Sequence, residues 1–408
     1  MSGGAPRDGD GVAAAPLSGL RIVEISSFVA APLAGLTLAQ LGAEVIRIDP
    51  LGGGPDYRRW PRTDAGESLY WTGLNKGKRS VTVDLRAPEG RAAVLGLITA
   101  GSGIVLTNAA RPWHGYDALR AQRADLIHLE ITGRADGGTA VDYTVNAATG
   151  FPLVTGPVEH SGPVNHVLPA WDVACGLYAA LAITAAVRHR DATGEGSRIV
   201  LPLENVALAI AGHLGFLAEA AVNRTDRPRI GNALFGQYGA PFTAADGTTF
   251  MVVALTARHF TDLVTLTGTE APIDALAKAL EADFADEGDR YRHRAVLTGL
   301  FTPWFRERTG PEVEAELSGT SLLWDRYRSF LELVDSPRVT GNPLFTTVHQ
   351  PGIGDLPAPG TPMLIDGAHA PARAAPLLGA DNGDLLPRAA PSTEPRAEFA
   401  PDHRTESS

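Results

Sequence analysis

Short apolar runs of strand character alternate with helical stretches through roughly the first third of the chain, and this alternation restricts it to an α/β architecture. Residues 20–25 and 43–48 read as buried strands, and 32–41 between them has helical spacing. Residues 80–85, 103–107 and 126–131 supply further strands, with a helix over 88–100 between two of them. Strands joined through helices run parallel, so the expected large domain is a Rossmann-like, doubly wound, mostly parallel sheet.

After Asp172 a helix is expected to about Arg188, then a turn at 191–196 and a strand at 198–201. A long apolar stretch from about 204 to 222 contains His213 and Glu219, falls short of a clean membrane span and reads as one buried helix. Polar residues 223–229 mark a boundary, followed by a hairpin over 240–254 around Asp246-Gly247 and charged helices over 257–317. The expected domains are therefore a large one over 17–200, a linker helix at 201–225 and a smaller α+β domain over 226–330. Residues 1–16 read as a flexible tail and 387–408 as a disordered one.

A formal net charge of −11 disfavours nucleic acid or an anionic membrane as partner, although local basic clusters can still hold an anionic ligand. Cys175 is the single cysteine, so no intrachain disulfide forms and a reducing cytoplasm is expected. Its neighbours Ala174 and Gly176 suggest a buried helix thiol. Residues 1–16 carry no cationic segment leading into an apolar core and do not resemble a secretory signal.

Asp172 stands just before the Ala/Leu-rich helix. An Asp there either caps the free N–H groups or uses the same helix end to stay ionised as a nucleophile. Asp142, thirty positions upstream, either starts a turn or forms a carboxylate pair with it. Lys76, Lys78 and Arg79 form either a solvated charge run or a phosphate site. Gly52-Gly53-Gly54 lacks both nucleotide-binding fingerprints and reads as a connecting turn. Gly231-Asn232-Ala233-Leu234-Phe235-Gly236-Gln237-Tyr238-Gly239 is either a mobile lid or an ordinary loop. The eleven histidines lack zinc-ligand spacing, so no metal is expected, and no Gly-x-Ser-x-Gly elbow occurs.

In order and spacing, the pieces resemble the class III CoA-transferases, the family of formyl-CoA transferase, carnitine CoA-transferase and α-methylacyl-CoA racemase. The resemblance runs from Leu17 to about Gly379. It rests on Leu17-Ser18-Gly19-Leu20-Arg21-Ile22-Val23-Glu24, Leu41-Gly42-Ala43-Glu44-Val45-Ile46, Asn75 to Ser80, Asp172 with its helix, Thr193-Gly194-Glu195-Gly196, Asn342-Pro343-Leu344-Phe345 and Pro376-Leu377-Leu378-Gly379.

That resemblance implies a two-domain fold in an interlocked homodimer, with residues 331–386 returning to the large domain. It implies Asp172 as a nucleophile that forms an anhydride and then an aspartyl-CoA thioester, with Asp142 as a supporting polar group. Lys76, Lys78, Arg79, Asn108 and Arg111 become candidates for holding CoA, and Gly231, Asn232, Gly236 and Gln237 for a lid over the reacting Asp. CoA enters as part of the substrate and no resident cofactor is implied. Arg59-Trp60-Pro61, Val141 to Asn146 and Asn165 to Asp172 resemble a branch that moves CoA between the two carboxyls of one small dicarboxylic acid. The alternative is transfer between a dicarboxylic acyl-CoA and another acid. Val141 stands where the racemase branch has a His, which disfavours racemisation. Pro50, Ala109 and the Ala380-Asp381-Asn382 ending also depart from the family pattern.

Overall fold

The computed structural model describes residues 15–386. The expected tails therefore lie outside the described residues, except for Ala15 and Pro16.

Six strands form one sheet: β1 (Arg21–Ile25), β2 (Glu44–Pro50), β3 (Arg79–Val83), β4 (Ile104–Thr107), β5 (Ile127–Thr132) and β6 (Ser197–Pro202). Their order is β3-β2-β1-β4-β5-β6 and every pairing is parallel, with Ile22 in register with both Val45 and Ile104. The strand order reverses beside β1. A crevice therefore opens beyond the C-terminal ends of β1 and β4, at residues 26–28 and 108–111.

The connecting helices are α1 (Ala30–Gln40), α2 (Leu69–Leu74), α3 (Pro88–Ala100), α4 (Tyr116–Arg120), α5 (Asp142–Ala148), α6 (Phe151–Val154) and α7 (Ala170–Thr193). One face of the sheet packs on α1 and α7 through Ala34, Leu38, Cys175, Ala179 and Ile183, and the other on α3 through Val94, Leu97 and Ile98. Contact between α1 and α7 is close at Gly176, where an added Cβ would come within 2.7 Å of the Ala30 carbonyl oxygen. Cys175 is buried beside it, and burial pushes its thiol up to about 12. By length and composition α7 could cross a membrane, yet its inner face forms the core of this sheet.

The stretch expected as one buried helix is instead two, α8 (Leu203–His213) and α9 (Phe216–Asn223), bent by 62°. Gly215, at φ +82, adopts the left-handed conformation that ends the first helix. No residue of α9 is buried, and Leu217 and Val222 are exposed.

A separate core gathers β7 (Tyr238–Thr243), β8 (Thr249–Ala254) and β9 (Leu323–Arg326), an antiparallel sheet. Against it pack α10 (Ala257–Thr267), α11 (Glu270–Leu280), α12 (Glu287–Arg292), α13 (Arg294–Arg306) and α14 (Gly310–Ser318). The hairpin turns at Asp246-Gly247 as expected, with Gly247 at φ +87 and Asp246 Oδ2 accepting the Gly310 N–H at 2.9 Å. β9 was not legible in the sequence, because four residues carry too little alternation.

Two short helices, α15 (Phe330–Val334) and α16 (Pro337–Thr340), lead to the hairpin of β10 (Phe345–Gln350) and β11 (Gly354–Pro359). The last described segment, with α17 (Asn382–Leu385), returns to the large sheet. Asp381 Oδ2 accepts the Ser80 N–H at 2.8 Å and Asn382 Oδ1 accepts the Thr82 N–H at 2.9 Å. The atypical ending thus satisfies donors on the free edge of β3.

Candidate active site

Asp172 does not cap its helix. It is the third residue of α7, whose N-cap position is Pro169 with no side-chain bond. The cap comes from Asp142. Its Oδ2 accepts the backbone N–H groups of Trp171, at 2.8 Å, and Asp172, at 3.1 Å. This leaves the Asp172 carboxylate uncommitted at the helix mouth, while Asp142 is buried and its Oδ1 has no partner among the described residues.

One helical turn after Asp142, Asn146 grips the same segment. Its Oδ1 accepts from Trp171 Nε1 at 3.1 Å and lies 3.0 Å from His166 Nε2, and its Nδ2 donates to Asn165 Oδ1 at 3.1 Å. Asn146 is fully buried, so one face of α5 holds the whole approach to the nucleophile candidate. Its role was legible only as the four-residue spacing from Asp142.

A carboxylate at a helix end was expected to keep an ordinary low pKa. Burial, with the Asp142 charge adding to it and Arg59 opposing, pushes Asp172 up to about 6. At pH 7 the anion still prevails by roughly tenfold.

Arg59 reaches this corner through a chain of local contacts. Ser68 caps α2 by accepting the Trp71 N–H at 3.1 Å and donates its hydroxyl to the Arg59 carbonyl at 2.6 Å, which draws the 59–62 loop over the helix start. The Arg59 guanidinium then lies over the rings of Phe28, at 5.3 Å, and Tyr70, at 5.1 Å. Phe28 holds a left-handed φ of +66 because its N–H is bound at 3.2 Å by Asp56, itself anchored by Arg47 at 3.1 Å. Burial raises the Tyr70 hydroxyl to about 12, and the hydroxyl has no partner among the described residues.

The cations expected together at 76–79 point three ways. Lys78 is fully buried, with its ammonium 2.9 Å from Glu24 and donating to the Pro32 carbonyl at 2.8 Å and Asn75 at 3.0 Å. Burial pulls its pKa down to about 8 against Glu24. It holds the sheet edge together and faces no open space. Arg79 pairs with Glu44, Asp381 and Asp384. Lys76 lines a cavity of about 510 Å³ with His369 and Arg373, away from the crevice. Only Arg79 lies in β3, and the separate partners of Lys78 and Arg79 keep the three cations from converging.

Asn108 and Arg111 do lie at the crevice. Asn108 clasps Ser27 across it, accepting the Ser27 N–H at 3.0 Å and donating to the Ser27 carbonyl at 2.8 Å. Arg111 borders a cavity of about 530 Å³ with Arg86, Arg91, Leu85 and Trp113. Arg86 and Arg91 went unread because they are distant in sequence from Arg111 and only the sheet brings them together.

In the 231–239 loop, Gly231 and Gly236 take positive φ, at +63 and +73, and Asn232 is exposed. Gln237 donates to Glu287. The Arg227 guanidinium lies over the Phe235 ring, at 3.9 Å, and over the Phe216 ring, at 4.0 Å, and pairs with Glu219. Phe216 meets Phe151 edge to face, and Phe151 meets Trp171 at a tilt, so a continuous chain of ring contacts joins the loop to the residue before Asp172. Among the described residues, no group of three or more His, Cys, Asp or Glu side chains is placed to hold a metal.

Residues 17–382 match the family described as CoA-transferase family III. The chain is 47% identical over 378 residues to a 2-methylfumaryl-CoA isomerase from Chloroflexus aurantiacus, covering 91% of this chain and 92% of that protein. It is 27% identical to a succinyl-CoA–D-citramalate CoA-transferase of the same organism, covering 84% and 85%. A crystal structure of a CAIB/BAIF family protein from Brucella suis superposes with a TM-score of 0.75 at 25% identity, covering 91% of this chain and 98% of that one. With its doubly wound sheet, second α+β core and nearly full-length match, the chain belongs to CoA-transferase family III.

Proposed function

We propose that this enzyme moves CoA between the C1 and C4 carboxyls of 2-methylfumaryl-CoA, an intramolecular CoA transfer with Asp172 as nucleophile. The observation that carries the reading is the division of labour between two carboxylates: Asp142 takes the helix N–H groups, and Asp172 is left free, ionised and unusually basic for an Asp. Basicity and freedom from hydrogen bonds both favour nucleophilic attack.

The Asp172 carboxylate adds to the thioester carbonyl, the C–S bond breaks, and CoA leaves as a thiolate with a mixed anhydride left behind. The thiolate attacks the aspartyl carbonyl, making an enzyme-bound thioester and freeing the diacid. The other carboxylate of that diacid attacks the aspartyl thioester, again expelling thiolate. Attack of the thiolate on the new acyl carbonyl gives the isomer and restores Asp172. Retention of the diacid makes the process intramolecular.

In this reading the nucleotide end of CoA occupies the cavity bordered by Arg86, Arg91 and Arg111, whose positive charge suits its phosphates. Gly231, Asn232, Gly236 and Gln237 belong to the loop that covers the reacting carboxylate and keeps water from anhydride and thioester. CoA is substrate, and the chain carries no resident cofactor. The active unit is a homodimer: the apolar Leu177, Tyr178 and Leu181 on α7 and Leu214, Leu217 and Val222 around α9 are all exposed in the single chain. A cytoplasmic setting accords with an unpaired Cys175 and a CoA ester substrate.

The second reading is intermolecular transfer between a dicarboxylic acyl-CoA and another acid, favoured by the resemblance to the citramalate transferase. Incubation with 2-methylfumaryl-CoA and labelled free 2-methylfumarate separates the two. Isomerisation without label in the product supports the intramolecular route; full label exchange overturns it. Intact-mass detection of a CoA adduct lost in Asp172→Ala tests the nucleophile.

A further inference from the structure

Beside Asp172 stand a cation and a hydroxyl that the protein itself leaves unused. Arg59 lies over the rings of Phe28 and Tyr70, and its guanidinium has neither an ion pair nor a hydrogen bond among the described residues. The Tyr70 hydroxyl oxygen is buried and unpartnered. A buried orphan hydroxyl costs stability, on the order of 1–3 kcal/mol, unless a ligand satisfies it. The two groups also sit at the reacting end of the fold. Phe28 lies two residues before Ala30, whose carbonyl touches α7 at Gly176, and Asp172 is one turn before Gly176. Both charged groups, Asp172 and Arg59, act on the Tyr70 hydroxyl through space.

We propose that Arg59 and Tyr70 are the specificity-determining residues that bind the free carboxylate of a dicarboxylic acyl-CoA, and that they hold the released diacid while it turns end for end. The inference rests on the transfer reaction proposed above and names the substrate feature this corner reads. A guanidinium lying over two rings, with no partner among the described residues, keeps its N–H groups available to a carboxylate. Tyr70 adds one neutral donor. A diacid has one carboxylate at Asp172 and one at Arg59, and after rotation the same two partners are satisfied again. A monoacid offers neither group a partner, and the buried Tyr70 hydroxyl then stays unsatisfied.

The test compares 2-methylfumaryl-CoA with tiglyl-CoA, which has a methyl group in place of the free carboxylate. The rate of Asp172–CoA adduct formation is followed by intact mass. Wild type prefers the diacid ester, and Arg59→Gln reduces that preference by roughly 100-fold. Tyr70→Phe keeps the ring under Arg59 and reduces the preference by roughly tenfold. Arg59 is exposed and unpaired, so Arg59→Gln melts with wild type and a folding defect is separable. If the variant slows both esters equally, or keeps the wild-type preference, the assignment of Arg59 is wrong. If wild type forms no adduct with either ester, the transfer reaction itself is wrong, and this inference with it.

Discussion

The Asp142 carboxylate binds the backbone N–H of Asp172 at 3.1 Å and that of Trp171 at 2.8 Å, so one acid caps the helix on which the other is free to react. A single oxygen of Asp142 therefore sets both the position of Asp172 and, through its charge, part of its basicity.

Replacing Asp142 separates these effects. In Asp142→Asn one amide oxygen remains to accept both N–H groups; burial still raises the Asp172 pKa, but the charge that adds to it is gone. Catalysis needs the Asp172 anion, so wild-type kcat/KM falls as pH drops through about 6. In the variant that acid limb moves to lower pH. Asp142→Ala removes the cap as well and lowers stability by about 1 kcal/mol. pH–rate profiles beside urea unfolding check both, and an unmoved limb contradicts the electrostatic role.

Asp172→Asn gives a protein that is inactive and more stable. The folded pKa of Asp172 lies above its unfolded value, so the fold binds the extra proton between them. Stability is highest below the unfolded pKa and is lost as pH rises through about 6, which leaves wild type carrying the full cost at pH 7. The variant gains about 2 kcal/mol at pH 7 and little at pH 4. Denaturant unfolding at the two pH values measures the difference.

Arg227 links the 231–239 loop to α7 through the contacts of Phe235, Arg227, Phe216, Phe151 and Trp171. Arg227→Ala removes the cation that contacts both rings. The loop then covers the site less of the time, and hydrolysis to free CoA and diacid rises on the order of tenfold relative to isomerisation. Chromatographic quantification of free acid against isomer decides it, and an unchanged ratio rules out this role for the ring contacts.

Charge removal at the 530 Å³ cavity acts on binding alone. Arg86→Gln with Arg111→Gln raises KM for the CoA ester by roughly tenfold and leaves kcat within about twofold, because these contacts are equal in ground and transition states. A pantetheine ester without the nucleotide is insensitive to the change. Equal losses with both esters would place the nucleotide elsewhere.

Much of the backbone was readable from local pattern. Period-two and helical apolar spacing marked each strand of the large sheet and the helix over 88–100, and Asp246-Gly247 marked the hairpin turn. The apolar stretch over 204–222 misled, because Gly215 gives no sign in composition that it takes a left-handed φ. The basic run at 76–79 misled differently: charge density shows attraction for an anion but not which way each side chain leaves the strand.

The amino-acid sequence by itself determined the alternating architecture and the membership in a CoA-transferase family, and singled out Asp142 and Asp172 as candidates, since periodicity and residue order are properties of the chain. Only the tertiary structure decided which aspartate caps and which stays free, that Lys78 is locked inside by Glu24, and that Arg86, Arg91 and Arg111 share one cavity. The physical reason is common to all three. Hydrogen-bond partners, desolvation and through-space charge depend on distances between residues far apart in the chain, and those distances exist only after the sheet has closed around its core.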